Sequence, residues 1–123
     1  ETLMPATINI ARVYDVHAPY PANTFLTDRL WPRGLSKVRL EGVQWLKAVA
    51  PSNELRHAFH EQRVSWQEFG ERYRAELKDN QACEELVELL KRDESLTLLY
   101  GSRDEQHNQA IVLREYLLQQ VSA

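Results

Sequence analysis

The chain has 123 residues, 43% of them hydrophobic and 27% charged, with a formal charge of −3. That balance is ordinary for one globular core and excludes disordered and collagen-like classes, while no apolar run approaches the ~20 residues that a membrane span needs. A net acidic chain also argues against bulk nucleic-acid binding, which draws its affinity from many lysines and arginines releasing counterions.

The first predicted element is a strand over 8–16, "INIARVYDV", rich in β-branched and aromatic residues and stopped by the prolines of "HAPYPAN". A second strand, "TFLTDRL" (24–30), ends at Pro32 and Gly34. Its connection to the first, "VHAPYPAN", is short enough for a hairpin, so a mixed sheet stays open beside a parallel one. Residues 37–50 place Val43, Leu46, Val49 and Ala50 on one stripe, with Trp45 beside it, and predict a helix. Pro51-Ser52 ends it and caps the next, "NELRHAFH". Ser65-Trp66-Gln67-Glu68 is a capping box, after which Trp66, Phe69, Tyr73 and Leu77 line one helical face. Asn80 interrupts, and "ACEELVELLKR" predicts a further helix with Leu86, Leu89 and Leu90 inward. "SLTLLYG" (95–101) is a short apolar run without alternation, as expected of a strand buried on both faces. A last helix over 103–120, opened by Ser102-Arg103-Asp104-Glu105, buries Ala110, Leu113 and Leu117. The pattern predicts an α/β class: one domain over 1–123, a small mostly parallel or mixed sheet of three or four strands, and helices packed against it.

Cys83 is the only cysteine, which excludes an internal disulfide framework and any multi-thiolate metal site. Its glutamate neighbours would raise its pKa, so a packed, inert thiol is expected. The opening "ETLMPATINI" lacks a basic head followed by an apolar block, and a reducing cytoplasmic setting fits best. His57 and His60, at i and i+3, are too few for a metal site. No glycine-rich phosphate loop, His-Glu-x-x-His or Gly-x-Ser-x-Gly stands in the chain, so no cofactor or metal is expected.

Residues 1–40 carry five Lys/Arg against three Asp/Glu, whereas 41–123 carry ten against fifteen. The basic excess therefore belongs to the segment holding "DRLWPRG" (28–34). Pro32 and Gly34 form a rigid corner there, carrying Asp28, Arg29 and Arg33 at the end of the second strand. If that strand runs parallel to the one at 95–101, their carboxyl ends meet in one crevice, joining those residues to Tyr100, Ser102, Arg103, Asp104, His107 and Asn108. Converging guanidinium groups read phosphate or carboxylate through paired hydrogen bonds. Arg29, Arg33 and Arg103 are accordingly candidates to bind a small anion, with Asp28, Tyr100, Ser102 and Asn108 contacting the ligand. Asp104 and His107, at i and i+3, are the candidate catalytic pair, a histidine oriented by a carboxylate. The plainer reading gives Asp104 and Glu105 to capping the last helix, Arg29 and Arg33 to Asp15, Asp28 or exposed helix carbonyls, and Trp31 to the core.

These segments carry a resemblance. "RVYDV" (12–16), "DRLWPRGLSK" (28–37), "WLKAVAPSNELRHAFH" (45–60), the W..F..RY..EL pattern (66–77) and "LTLLYGSRDEQHNQAIVL" (96–113) are similar to the small, uncharacterised YeaO-like branch of the domain-of-unknown-function 488 family. The resemblance implies an α/β domain without an established reaction. In the broader family it implies a cysteine closing the last strand and a Cys-His-Arg cluster in the next helix. Tyr100 and Gln106-His107-Asn108 stand at those places here, so a thiol mechanism does not carry over. Two functions remain in view: a domain that binds a small anionic molecule, such as a nucleotide or phosphorylated metabolite, with or without turnover, and a non-enzymatic interaction module. The partner surface of such a module would be the acidic helix near 81–94 or an exposed Trp31 or Trp45.

Overall fold

The computed structural model describes residues 6–122. Residues 1–5, on which the reading of the opening stretch partly rests, lie outside the described residues. Among the described residues four strands form one sheet: β1 (Ile8–Arg12), β2 (Thr24–Leu26), β3 (Gln44–Trp45) and β4 (Leu96–Tyr100). The sheet order is β1-β4-β2-β3, and every pairing is parallel. β1 and β2 do not pair with each other, because β4 fills the slot between them, and the hairpin alternative falls. The central place suits β4, whose "LTLLY" is apolar on both faces.

Alternation along the strands divides the core. Ile8, Phe25, Leu96, Leu98 and Tyr100 face four helices: α1 (Asn53–His60), α2 (Trp66–Leu77), α3 (Gln81–Lys91) and α4 (Gln109–Ser122). Leu26 and Leu99 point the other way and pack with Val13 and Leu40 under the irregular segments that carry Tyr14, Tyr20, Trp31 and Val43. One face of the sheet is thus covered by helices and the other by loops.

Local signals hold in the helical half. Ser52 accepts the Leu55 N–H at 3.2 Å, Ser65 the Glu68 N–H at 3.0 Å and Asn80 the Cys83 N–H at 2.9 Å, each capping its helix. Phe69, Tyr73 and Leu77 are buried along α2, and Ala110, Leu113 and Leu117 along α4.

Three expectations are corrected. The helix predicted over 37–50 does not form: the segment holds turns, β3 and a 3-10 turn over Lys47–Val49. Gly42 adopts φ +96°, and Leu46 donates its N–H to Leu26 O at 2.9 Å, so the chain runs beside β2. The supposed stripe is split, with Val43 under the loop layer and Val49 under the helices. The first two strands are shorter than their apolar patterns, because β1 passes into a 3-10 turn at Val13–Asp15 and β2 ends at Leu26. The last helix starts at Gln109 instead of 103: Asn108 Oδ1 accepts the Ile111 N–H at 3.2 Å, and 102–108 is a folded loop.

Candidate functional site

At the carboxyl ends of β1, β4 and β2 the sheet opens into a cavity of about 740 Å³. Parallel strands bring the residues that follow them to one edge, which is where open α/β sheets place their ligands. Asp28, Arg29, Arg33, Ser102, Arg103, His107 and Asn108 all line it, so the two segments singled out in the sequence meet. Tyr100 and Asp104 do not. Tyr100, 4% exposed, points into the helix-side core, where burial raises its phenol pKa.

The corner at 28–34 is fixed from several directions. Tyr14 donates its hydroxyl to Arg33 O at 2.7 Å, and Trp31 Nε1 donates to Leu35 O at 2.7 Å. Trp45 Nε1 donates to Asp28 O at 2.7 Å, while its ring meets Trp31 edge-on at 5.3 Å. Gly34 takes φ +82°, a conformation that costs glycine little. The Arg33 side chain is left exposed at the cavity. Arg29 differs: its Nε donates to Pro51 O at 2.8 Å and its Nη2 to Ala50 O at 3.3 Å. Its guanidinium is largely spent tying the end of β2 to the entry of α1.

Asp28 is the single acid among the described lining residues. Oδ2 accepts the Gly101 N–H at 3.0 Å, and Oδ1 accepts from Gln109 Nε2. Burial dominates its titration and pushes the carboxyl from 3.8 up to about 6, against the opposing pull of the Gln109 and Gly101 hydrogen bonds and the Arg56 charge.

The loop between β4 and α4 is organised by Asp104, whose Oδ1 accepts the N–H groups of Gln106 at 2.9 Å and His107 at 3.0 Å. Those bonds, the Gln106 amide first and the His107 side chain next, lower its carboxyl pKa. Asp104 Oδ2 lies 3.1 Å from His107 Nδ1, and the His107 ring stands edge-on to Trp66 at 5.0 Å. Asp104 therefore orients the ring that lines the cavity.

The sequence reading missed Arg12, Tyr14, Arg56, Phe59 and Gln109, and weighed His60 only as a metal ligand. Arg12 closes β1, donates Nε to Ser102 O at 2.9 Å and lies over the Tyr14 ring. Arg56, Phe59 and His60 fall at i, i+3 and i+4 of α1 and share one face, a spacing visible in "NELRHAFH" but passed over for His57 and His60. Those two histidines look into different cavities, His57 into a smaller one of about 380 Å³. Among the described residues no three His, Cys, Asp or Glu side chains gather as a metal site.

Fold and cavity together define a small parallel α/β protein with an arginine-lined crevice at the carboxyl edge of its sheet. The family model described as "Inactive DUF488-N3 subclade" matches residues 7–123. Over 111 residues the chain is 40% identical to the uncharacterized protein YeaO of Escherichia coli K12, covering 89% of this chain and 96% of that one. It is 37% identical over 110 residues to the uncharacterized proteins Rv3073c of Mycobacterium tuberculosis and Mb3100c of Mycobacterium bovis, covering 89% of this chain and 92% of each. The chain belongs to the domain-of-unknown-function 488 family, as a YeaO-like member. No solved structure matches it.

Proposed function

We propose that this protein binds a small anionic molecule, a nucleotide or another phosphorylated metabolite, in the crevice between 28–34 and 100–108, in the cytoplasm and without turning it over. The observation that carries the reading is the charge of the lining: five arginines and two histidines against one acid, in a chain whose formal charge is −3. A concave site lined by one sign of charge concentrates the opposite sign within it. Arg33 and Arg103 have no ion-pair partner among the described residues, which leaves their forked donors available to a ligand. Turnover is the weaker half of the earlier expectation, because the matching family model is described as inactive and Tyr100 stands where the wider family resemblance implies a cysteine. His107, held by Asp104, then acts as a positioned contact and not as half of an acid–base pair.

The test is a thermal-shift panel of nucleotides, sugar phosphates and inorganic phosphate at low salt on the full chain. A rise in Tm that Arg33→Ala abolishes supports the reading, and no shift with any of them overturns it. The interaction-module alternative has one observation in its favour, the exposure of Leu30 (58%) and Val38 (79%) beside the corner. Trp45 is a poorer candidate for that surface, since its indole N–H and ring are engaged by Asp28 O and Trp31.

A further inference from the structure

The cavity straddles the edge of the sheet. Arg33, Trp31 and Tyr14 approach from the loop-covered face, where Trp31 and Tyr14 belong to the smaller core cluster, and Phe59 and Phe69 approach from the helix-covered face. Asp28 and Gly101 lie between, at the strand ends. The helix-side wall is an aromatic layer: Phe59 and Phe69 stack at 4.6 Å and 28°, and Trp66 stacks on Phe69 at 5.7 Å and 18° and leans against Phe59 at 5.8 Å. Resting on the proposed anion binding, we infer that the ligand class is a nucleotide, with its phosphate toward Arg33 and Arg103 and its base toward Phe59, the half-buried ring that the buried Phe69 backs.

Three observations carry this. About 740 Å³ lies within the roughly 300–1,000 Å³ of ordinary small-molecule sites, so an inorganic anion would leave most of it unfilled. A preformed aromatic ring such as Phe59, held from behind by Phe69, rewards a flat ring, because offset stacking adds to simple burial and accepts any base. The third is Asp28. Besides holding Gly101 and Gln109, a carboxyl group inside an arginine-lined crevice repels an anion unless the ligand also brings hydrogen-bond donors. No arginine reaches Asp28 as an ion pair among the described residues, and each of its oxygens accepts one protein hydrogen bond while retaining further acceptor capacity. The amino and ring N–H groups of nucleobases are such donors, and a sugar phosphate has no flat ring to place beside them.

The experiment is calorimetric titration of the full chain with inorganic phosphate, ribose 5-phosphate and the four ribonucleoside 5′-monophosphates. At least one nucleotide is expected to bind about tenfold or more tightly than ribose 5-phosphate, the increment that one stacked ring supplies. Phe59→Leu stays apolar but removes the face, and should bring that nucleotide to within about threefold of ribose 5-phosphate while changing ribose 5-phosphate binding much less. Should Phe59→Leu fail to fold, Asp28→Asn serves instead: the nucleotide preference shrinks while ribose 5-phosphate binds more tightly. Equal binding of ribose 5-phosphate and all four nucleotides by the wild type overturns the inference and leaves anion binding standing. Binding of none of the six removes both.

Discussion

Asp28 and Gly101, at the ends of neighbouring parallel strands, are fitted to each other: the Gly101 N–H donates to Asp28 Oδ2 at 3.0 Å, and a Cβ on Gly101 would lie 2.6 Å from that same oxygen. Gly101 is required here for close approach and not for an unusual backbone angle. Gln109 holds the carboxylate from its other side, so the side chain has little room to retreat. Gly101→Ala should therefore destabilise the protein by about 1–3 kcal/mol in urea titration, the usual cost of forcing atoms into a filled place. In an Asp28→Ala background, the same change should cost less than half as much, because the clashing oxygen is gone.

The same carboxyl makes stability depend on pH. Its folded pKa of about 6 lies above the ordinary 3.8, so between those values the native state holds a proton that the unfolded chain has lost. Stability from this group is full below about pH 4 and is lost as pH rises through about 6, by up to about 3 kcal/mol. Denaturant melts of wild type and Asp28→Asn at pH 4.5 and 7 should show the wild type weakening relative to the variant at the higher pH. A gap that stays constant, or that moves the other way, contradicts the assignment.

Arg29 and Arg33, four residues apart, should behave oppositely. Arg33→Ala removes an exposed side chain with no ion pair among the described residues and should leave stability within about 0.5 kcal/mol of wild type while abolishing anion binding. Arg33→Lys should restore little binding, because a point charge cannot replace a planar fork. Arg29→Ala strips donors from Pro51 O and Ala50 O and should cost about 1–3 kcal/mol. A large loss of stability in Arg33→Ala would make the corner structural.

Cys83 is buried at 1% exposure, and burial pushes its thiol up to about 12. Thiol reagents at pH 8 should therefore label it only as fast as the protein opens, with the rate rising steeply in urea. Immediate labelling of native protein would contradict this packing.

What the sequence settled by itself is what neighbouring residues decide among themselves. Ser52 and Ser65 act as caps because an N-cap bond spans only three residues. The "LTLLY" run could be placed as a buried strand because it lacks a polar face, and Pro32 with Gly34 marked a rigid corner in any fold. The meeting of that corner with 100–108 also followed, once the strands were taken as parallel. Tertiary structure decided the rest, wherever two local answers were equally good. Ser102 and Asn108 are both competent caps, and α4 begins at the second, with Ser102 O held by Arg12 from β1 and the intervening loop folded around Asp104. Residues 44–45 lie inside the segment whose Val43, Leu46, Val49 and Ala50 predict a helix but form an edge strand, because pairing with Phe25 and Leu26 outweighs weak helix propensity next to Gly42. The face Tyr100 would take depended on register, since a shift of one residue in a strand reverses every side chain. Arg56, Phe59 and His60 entered the crevice only through the packing of α1 beside the sheet edge, a contact between segments that no local spacing could supply.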